Sequence, residues 1–426
     1  MVAAGAALVF VGAAAACGDT APESGSTTSV PKAELVAETW TAMAPALEPR
    51  SPWAELKPVA VQPLGDGTAL VIGGARGDGQ GGWEPWDLVA RLDLSTGALT
   101  QLPNDIGGSG AMWSMGAGLT DAGVLALISR CELVGEQGGC DRGSRSVHLV
   151  RLDGDRWIDV DLPAGAAEHI AADPSSWGPH LFVLDGTPVI GFASGTADAT
   201  EWSFFVGNGS TEPIWRTVDA PVGVSSVAMN FGPQLCATRD ALAALVVVDT
   251  RSPETASVRI PELVPTSSVA VATLDPARGT WSTSEPIPTE NGLGHGYLAC
   301  SADRVHVKVN TVPAAYFAVT PGSTDVARLT DPPGFDESSG ARLFADAGSP
   351  SLFIGSNDAG RIAVLRPGSD AWVDLPPPST EEIDDVGRSL GAYSVGFVAD
   401  GSTLIDVARF QRDGWAGRAY GLRLPG

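Results

Sequence analysis

Covalent or acid–base chemistry finds little equipment in this chain. Its five histidines, His148, His169, His180, His295 and His306, are scattered, and no two stand at a spacing that would offer both to one metal ion. His148 and His306 alternate with apolar residues as strand residues do, whereas His169 and His295 lie in segments that join apolar runs, so these two are the candidates for touching a ligand. No Gly-x-Ser-x-Gly elbow occurs, and the 50 acidic residues are too evenly spread for spacing to nominate an acid and a base. Aromatic faces beside carboxylates are the more suggestive grouping: Trp83, Glu84 and Trp86 in GGWEPW, Trp202 after Glu201, and Trp415 after Asp413. Such pairs suit sugar rings, and Trp also anchors protein interfaces. Trp86, Trp202 and Trp415 equally mark the start of an apolar run, where a sheet packs an aromatic; Trp83, between Gly-Gly and Glu-Pro, has as good a claim to a loop tip. The stretch Glu381, Glu382, Asp384, Asp385 offers oxygens to Ca²⁺ but lacks the alternating spacing of a calcium loop. It reads as a solvated acidic loop, and no cofactor or metal is predicted.

These residues hang on a unit that recurs seven times. Its clearest mark is a turn, a Trp, an apolar alternation and a Pro: RWIDVDLP at Trp157, IWRTVDAP at Trp215, TWSTSEPIP at Trp281 and AWVDLPPP at Trp372. Degenerate copies stand at Leu99 (ALTQLP) and Val326 (DVARLTDPP). Each unit also carries two apolar runs joined by a short turn, at Asp66-Gly67, Asp121 to Gly123, Asp185-Gly186, Thr238 to Asp240, Ala302 to Arg304, Asp346 to Gly348 and Asp400-Gly401, which is hairpin grammar. A third run precedes the Trp-bearing fourth. The expected fold is therefore all-β, a seven-bladed β-propeller of four-stranded blades in one domain, over residues 37–426. The last unit ends at AYGLRLPG without a fourth strand, while ETWTAMAP near the start supplies a fourth strand without the other three. Pairing residues 38–45 with the last blade closes the ring and removes exposed sheet edges.

In a four-stranded blade the connections between second and third strands share a face with those between blades. That rim collects the candidate ligand-binding residues Trp83, Glu84, Trp86, Trp202, Trp415, His169 and His295, together with the loop from Cys131 to Cys140 and residues 249–268. With 26 basic against 50 acidic residues, a formal charge of −24, the chain repels phosphate backbones, so nucleic acid is an unsuitable partner.

Residues 1–16 form an apolar run too short to span a bilayer and ending in small residues, the shape of an export signal. Ala14, Ala15 and Ala16 directly before Cys17 resemble the bacterial lipoprotein signal, although position 14 is more typically Leu and no Lys or Arg precedes the run. The resemblance implies a signal peptide over 1–17, lipid on Cys17 and an extracytoplasmic protein held to the membrane by that lipid alone. Residues 18–36, rich in Ser, Thr, Pro and Gly, read as a flexible tether. Four other cysteines then remain for an oxidising compartment. Cys131 and Cys140 bracket one loop, and Cys236 and Cys300 occupy the same place in consecutive repeats, so two disulfides are expected; free thiols or another pairing are the alternatives.

The blade pattern resembles the kelch-type propeller, best in LGDGTALVIGG, where Gly73-Gly74 stand at the family's paired glycines, followed by WDLVARLDLSTGALTQLP. The double Gly occurs once, and other seven-bladed families compete. Copper oxidases of the galactose oxidase type share kelch blades, but the four Tyr and the Cys here show no matching motif. DPARGTW, from Asp275 to Trp281, looks like one partial Asp box of the sialidase type, which any turn before a Trp strand also produces. The expected function is a monomeric, non-catalytic binding scaffold for a glycan or an envelope protein. The alternative is a carbohydrate-active hydrolase or lyase using carboxylates at the channel mouth.

Overall fold

The apolar runs form strands buried on both faces, which is why several read as unbroken apolar stretches rather than as an alternation; Val269–Leu274 are all buried. The structure, a computed structural model, describes residues 40–43, 56–75, 88–103, 106, 111–131, 145–154, 156–166, 179–196, 199–209, 211–221, 235–248, 268–288, 296–309, 314–332, 335, 342–345, 349–356, 361–376, 381–383, 389–400, 403–412 and 414–424. They belong to the compact unit Ala37–Gly426; the unit Met1–Val36, with the expected signal, tether and Cys17, lies outside the described residues.

Seven antiparallel sheets follow one another along the chain. Blade 1 holds Leu56–Pro63, Thr68–Ala75, Leu88–Asp93 and Leu99–Leu102; blade 2, Ala111–Thr120, Gly123–Cys131, Arg145–Asp153 and Arg156–Val160. Blade 3 holds His180–Leu184, Thr187–Thr196, Ala199–Gly207 and Trp215–Val218; blade 4, Leu235–Ala237, Leu242–Val248, Ser268–Asp275 and Thr280–Thr283. Blade 5 holds Gly296–Cys300, Val305–Val309, Ala315–Val319 and Val326–Arg328; blade 6, Arg342–Ala345, Leu352–Ser356, Arg361–Leu365 and Trp372–Leu375. Blade 7 is Ser389–Asp400, Thr403–Arg412 and Gly414–Arg423, completed on its outer edge by Thr41–Ala42 from the other end of the chain. Thr41 pairs with Gly421 and Ala42 with Tyr420. Each first strand contacts the first strands of both neighbouring blades, and blade 7's contacts blade 1's, so the first strands are innermost and the ring is closed. The propeller and its closure are as the repeats predict.

The recurring Trp has a task that reaches beyond its own blade. In the seams between blades its indole N–H donates to a carbonyl just past the fourth strand of the preceding blade: Trp157 to Pro103 (2.7 Å), Trp215 to Asp161 (3.0 Å), Trp281 to Asp219 (2.8 Å), Trp372 to Thr330 (2.8 Å) and Trp40 to Pro376 (2.9 Å). Register identifies the degenerate copies, because Leu99 pairs with Leu92 and Val326 with Val319 where Trp157 pairs with Leu152 and Trp372 with Leu365. Neither Leu99 nor Val326 has a side-chain N–H to give. The seam that Val326 faces, between blades 4 and 5, is instead crossed by the disulfide Cys236–Cys300, which joins the two first strands with Cα atoms 5.5 Å apart. The seam at Leu99 is the ring closure, where Met43 packs with Leu99 against Val398, Ile405 and Val407 of blade 7 and Ala69, Val71, Ala90 and Leu92 of blade 1.

Candidate functional site

The two faces of the ring differ in how the chain crosses them. First and second strands are joined by tight turns; at Asp185-Gly186 both residues have positive φ, 45° and 78°, the backbone of a two-residue hairpin turn that suits Asp-Gly. On the opposite face second strands end at Ala75, Cys131 and Val248 and third strands begin at Leu88, Arg145 and Ser268; residues 76–87, 132–144 and 249–267, and 167–178, 222–234 and 336–341 between blades, lie outside the described residues. The nominated Trp83, Glu84, Trp86, His169 and His295 lie outside the described residues, as do Cys140, Asp384 and Asp385. Cys131 ends the second strand of blade 2, so its pairing with Cys140 lies outside the described residues too. Trp415 falls near the tip of the hairpin Thr403–Arg412 and Gly414–Arg423, paired with Gln411 on that same face. Glu381 and Glu382 form a short extra strand on the inner edge of blade 7.

Trp202 takes the packing place that its position at the start of an apolar run allows. It is half-buried in the seam between blades 3 and 4, stacked on Phe204 with ring centroids 5.7 Å apart, and Phe204 in turn meets the edge of Trp281 at 4.9 Å. Its buried indole nitrogen has no hydrogen-bond partner among the described residues. The ring's position is that of a packing aromatic.

The described histidines follow their strand positions. His148 is half-buried, with Nε2 2.9 Å from Ser146 Oγ. Burial alone pulls His180 below the usual imidazole range. His306 is buried, with Nε2 3.0 Å from Ser301 Oγ. That contact has the geometry of a nucleophile and its base, but Ser301 is wholly buried and His306 Nδ1 has no orienting partner, so the pair is internal structure. Burial first, and the nearby Arg304 second, push the His306 pKa down to about 3. The unfolded chain takes up this proton near pH 6.5 while the folded ring refuses it, so the stability difference is fully favourable above pH 6.5 and is lost as pH falls towards 3. The expected slope is about 1.4 kcal/mol per pH unit in that window. Denaturant midpoints measured from pH 7 to pH 4 should show it, and His306→Gln should flatten it; equal slopes in the two proteins would refute the assignment. Among the described residues no group of three or more His, Cys, Asp or Glu is placed to hold a metal ion. The Asp-box-like turn is a self-contained Asx turn, with Asp275 Oδ1 accepting from the backbone of Ala277 (2.9 Å) and Arg278 (3.1 Å).

A described concavity lies on the short-turn face. A cavity of about 500 Å³ opens where the innermost strands end, lined from blades 1, 2, 3, 4 and 7, which puts it at the channel mouth. Leu64, Leu94, Leu119 and Val183 give it apolar wall, and its charges are Asp121, Asp185 and Arg239. Asp121 leans towards blade 3: a Cβ on Gly186 would stand 3.7 Å from its Oδ1 and one on Gly209 3.9 Å from its Oδ2. The two carboxylates thus come from adjacent turns, with the guanidinium on the next blade. Sequence reasoning met these residues only as turn markers; the available signal was that one such turn per blade must converge at the axis.

No family model matches this chain, and no curated protein does. Solved structures do resemble it: YCF48 bound to a D1 peptide (11% identity, 91% of this chain and 96% of that one, TM-score 0.45) and a polysaccharide lyase of family 25, ulvan lyase (11%, 87% and 95%, 0.43). A third is the α-L-arabinofuranosidase of Fusarium graminearum (10%, 91% and 97%, 0.39). The likeness is one of fold across proteins of mixed function.

Proposed function

We propose that the protein is an extracytoplasmic binding scaffold, a kelch-like ring tethered to the bacterial membrane by lipid on Cys17, which takes a glycan or an envelope protein on its long-connection face and carries out no catalysis. The observation that carries this reading is the division of labour between the faces. Tight turns and inter-blade hydrogen bonds fix the ring, and the strand ends that flank the long connections, to which Trp83, Glu84, Trp86, His169 and His295 belong in sequence, open on the other face. Binding residues are disproportionately found on such loops when a rigid scaffold positions them. The direction of the chain supports the same arrangement. Thr41–Ala42 runs antiparallel to Gly414–Arg423, so this strand starts from the short-turn face of the ring. The disulfide Cys236–Cys300 fits an oxidising compartment outside the cytoplasm.

The test is an array of envelope polysaccharides and oligosaccharides probed with the soluble ring, residues 33–426, and with Trp83→Ala, with product analysis of every hit. Saturable binding that falls at least about tenfold in the variant, without turnover, is the expected result, in line with the loss of a central aromatic anchor. Turnover would replace the scaffold by a carbohydrate-active enzyme. Silence across all glycans would leave an envelope protein, and crosslinking on intact cells that captured none would end the reading.

A further inference from the structure

We propose that the channel mouth on the short-turn face binds a compact amine-bearing ligand, one that offers an ammonium group to Asp121 and Asp185 and oxygen acceptors to Arg239. This site is on the face opposite the rim and stands independently of the function proposed above.

The argument begins with what the turn carboxylates of this face do elsewhere. Asp66 accepts from Thr68 and pairs with Arg91; Asp93 accepts from Ser95 and Thr96. Asp240 accepts from Thr238, and Asp275 closes its own turn and pairs with Arg278. These four are engaged by the fold, whereas Asp153 and Asp303, in other turns of this face, stand exposed. Asp121 and Asp185 are not engaged: neither side chain makes a hydrogen bond or ion pair with a described residue, and the guanidinium of Arg239 makes none either. Arg239 is held only through its backbone N–H, which donates to Ala302 O at 3.1 Å. Three charged groups without partners therefore surround one cavity of about 500 Å³, a size in the usual range for small-ligand pockets.

Their chemistry defines the ligand. Ionised carboxylates only accept hydrogen bonds and a guanidinium only donates them, so a ligand satisfying all three must donate at one end and accept at the other. A simple anion meets two carboxylates, and a polyamine leaves Arg239 unmatched. A zwitterionic amino acid or short peptide fits, and so does an amino sugar whose hydroxyls face Arg239 while its ring lies on the apolar wall of Leu64, Leu94, Leu119 and Val183.

The experiment is titration calorimetry on the full-length chain at low salt with glucosamine, N-acetylglucosamine, L-alanyl-L-alanine and its N-acetyl derivative. At least one free amine should bind saturably, with its acetylated counterpart at least about tenfold weaker, since charge-assisted hydrogen bonds are the strong ones. Which amine binds distinguishes an amino sugar from a peptide source. The double substitution Asp121→Asn with Asp185→Asn should weaken that amine at least about tenfold, and Arg239→Met should weaken it separately, both with unchanged melting temperature because the positions are exposed turns. Trp83→Ala should leave it unaltered, which separates this site from the rim. Absence of binding by both free amines would overturn the proposal, as would equal binding of free and acetylated forms or equal binding by the Asn and Met variants.

Discussion

Gly116→Ala is expected to cost the ring at least about 4 kcal/mol, in the range of the largest single substitutions, read as a collapse of the denaturation midpoint. Gly116 sits in a bulge of the innermost strand of blade 2, where the register shifts between Ser114 and Ala117, and its φ is 132°. A methyl group there would lie 2.0 Å from the carbonyl oxygen of Leu181 and 2.8 Å from its nitrogen. Both atoms are backbone of the next blade's innermost strand, so no side chain can swing aside; the seam must open. Gly118, two residues on, is similarly confined, with Val183 Cβ 2.5 Å from where its own Cβ would be. Gly154→Ala is the control: its φ is 64° but nothing stands within 4 Å, so only the left-handed backbone penalty of about 1 to 2 kcal/mol applies. Equal losses at the two positions would show that the close approach of blades 2 and 3 does not matter.

Removing the disulfide, by Cys236→Ser with Cys300→Ser, is expected to cost about 4 kcal/mol on the chain-entropy model for a separation of 64 residues. The location matters as much as the size. Where Trp157, Trp215, Trp281, Trp372 and Trp40 hydrogen-bond across their seams, Val326 has nothing comparable, and among the described residues the seam between blades 4 and 5 keeps its apolar packing, backbone bonds such as Glu285 N–H to Thr324 O at 2.8 Å, and the Gly322 N–H donating to Thr273 Oγ1 at 3.1 Å. Hydrogen exchange in the double variant should therefore rise first in Leu235–Ala237 and Gly296–Cys300. A uniform rise around the ring, or a midpoint unchanged by reductant in the wild type, would show that the bond is incidental.

The ring was legible because its marks are local. A turn followed by Trp and an alternation can be read in one short window, and even the copies that lost the Trp, at Leu99 and Val326, kept the register that betrays them. Closure was readable too, since an unfinished blade at one end matched a spare strand at the other. The placement of Trp202 was harder to foresee: Glu beside Trp looks the same on a rim as in a seam, and only the neighbouring Phe204 and Trp281 decide it. The channel-mouth cavity was invisible for a different reason. Asp121, Asp185 and Arg239 are each sufficiently explained as turn residues, and nothing local says that three turns so far apart in the chain share one axis; that follows only from ring geometry.

Closure by Thr41–Ala42 also has a mechanical side. A pull directed along the strand from Trp40 would load the bonds to Gly421 and Tyr420 together in shear instead of parting them one after another. Trp40, hydrogen-bonded to Pro376 of blade 6, lies first in the line of force, and Met43, wedged against Gly97 and Gly421, lies behind it as a stop. A load directed along Thr41–Ala42 would thus be borne by the seam that keeps the ring shut.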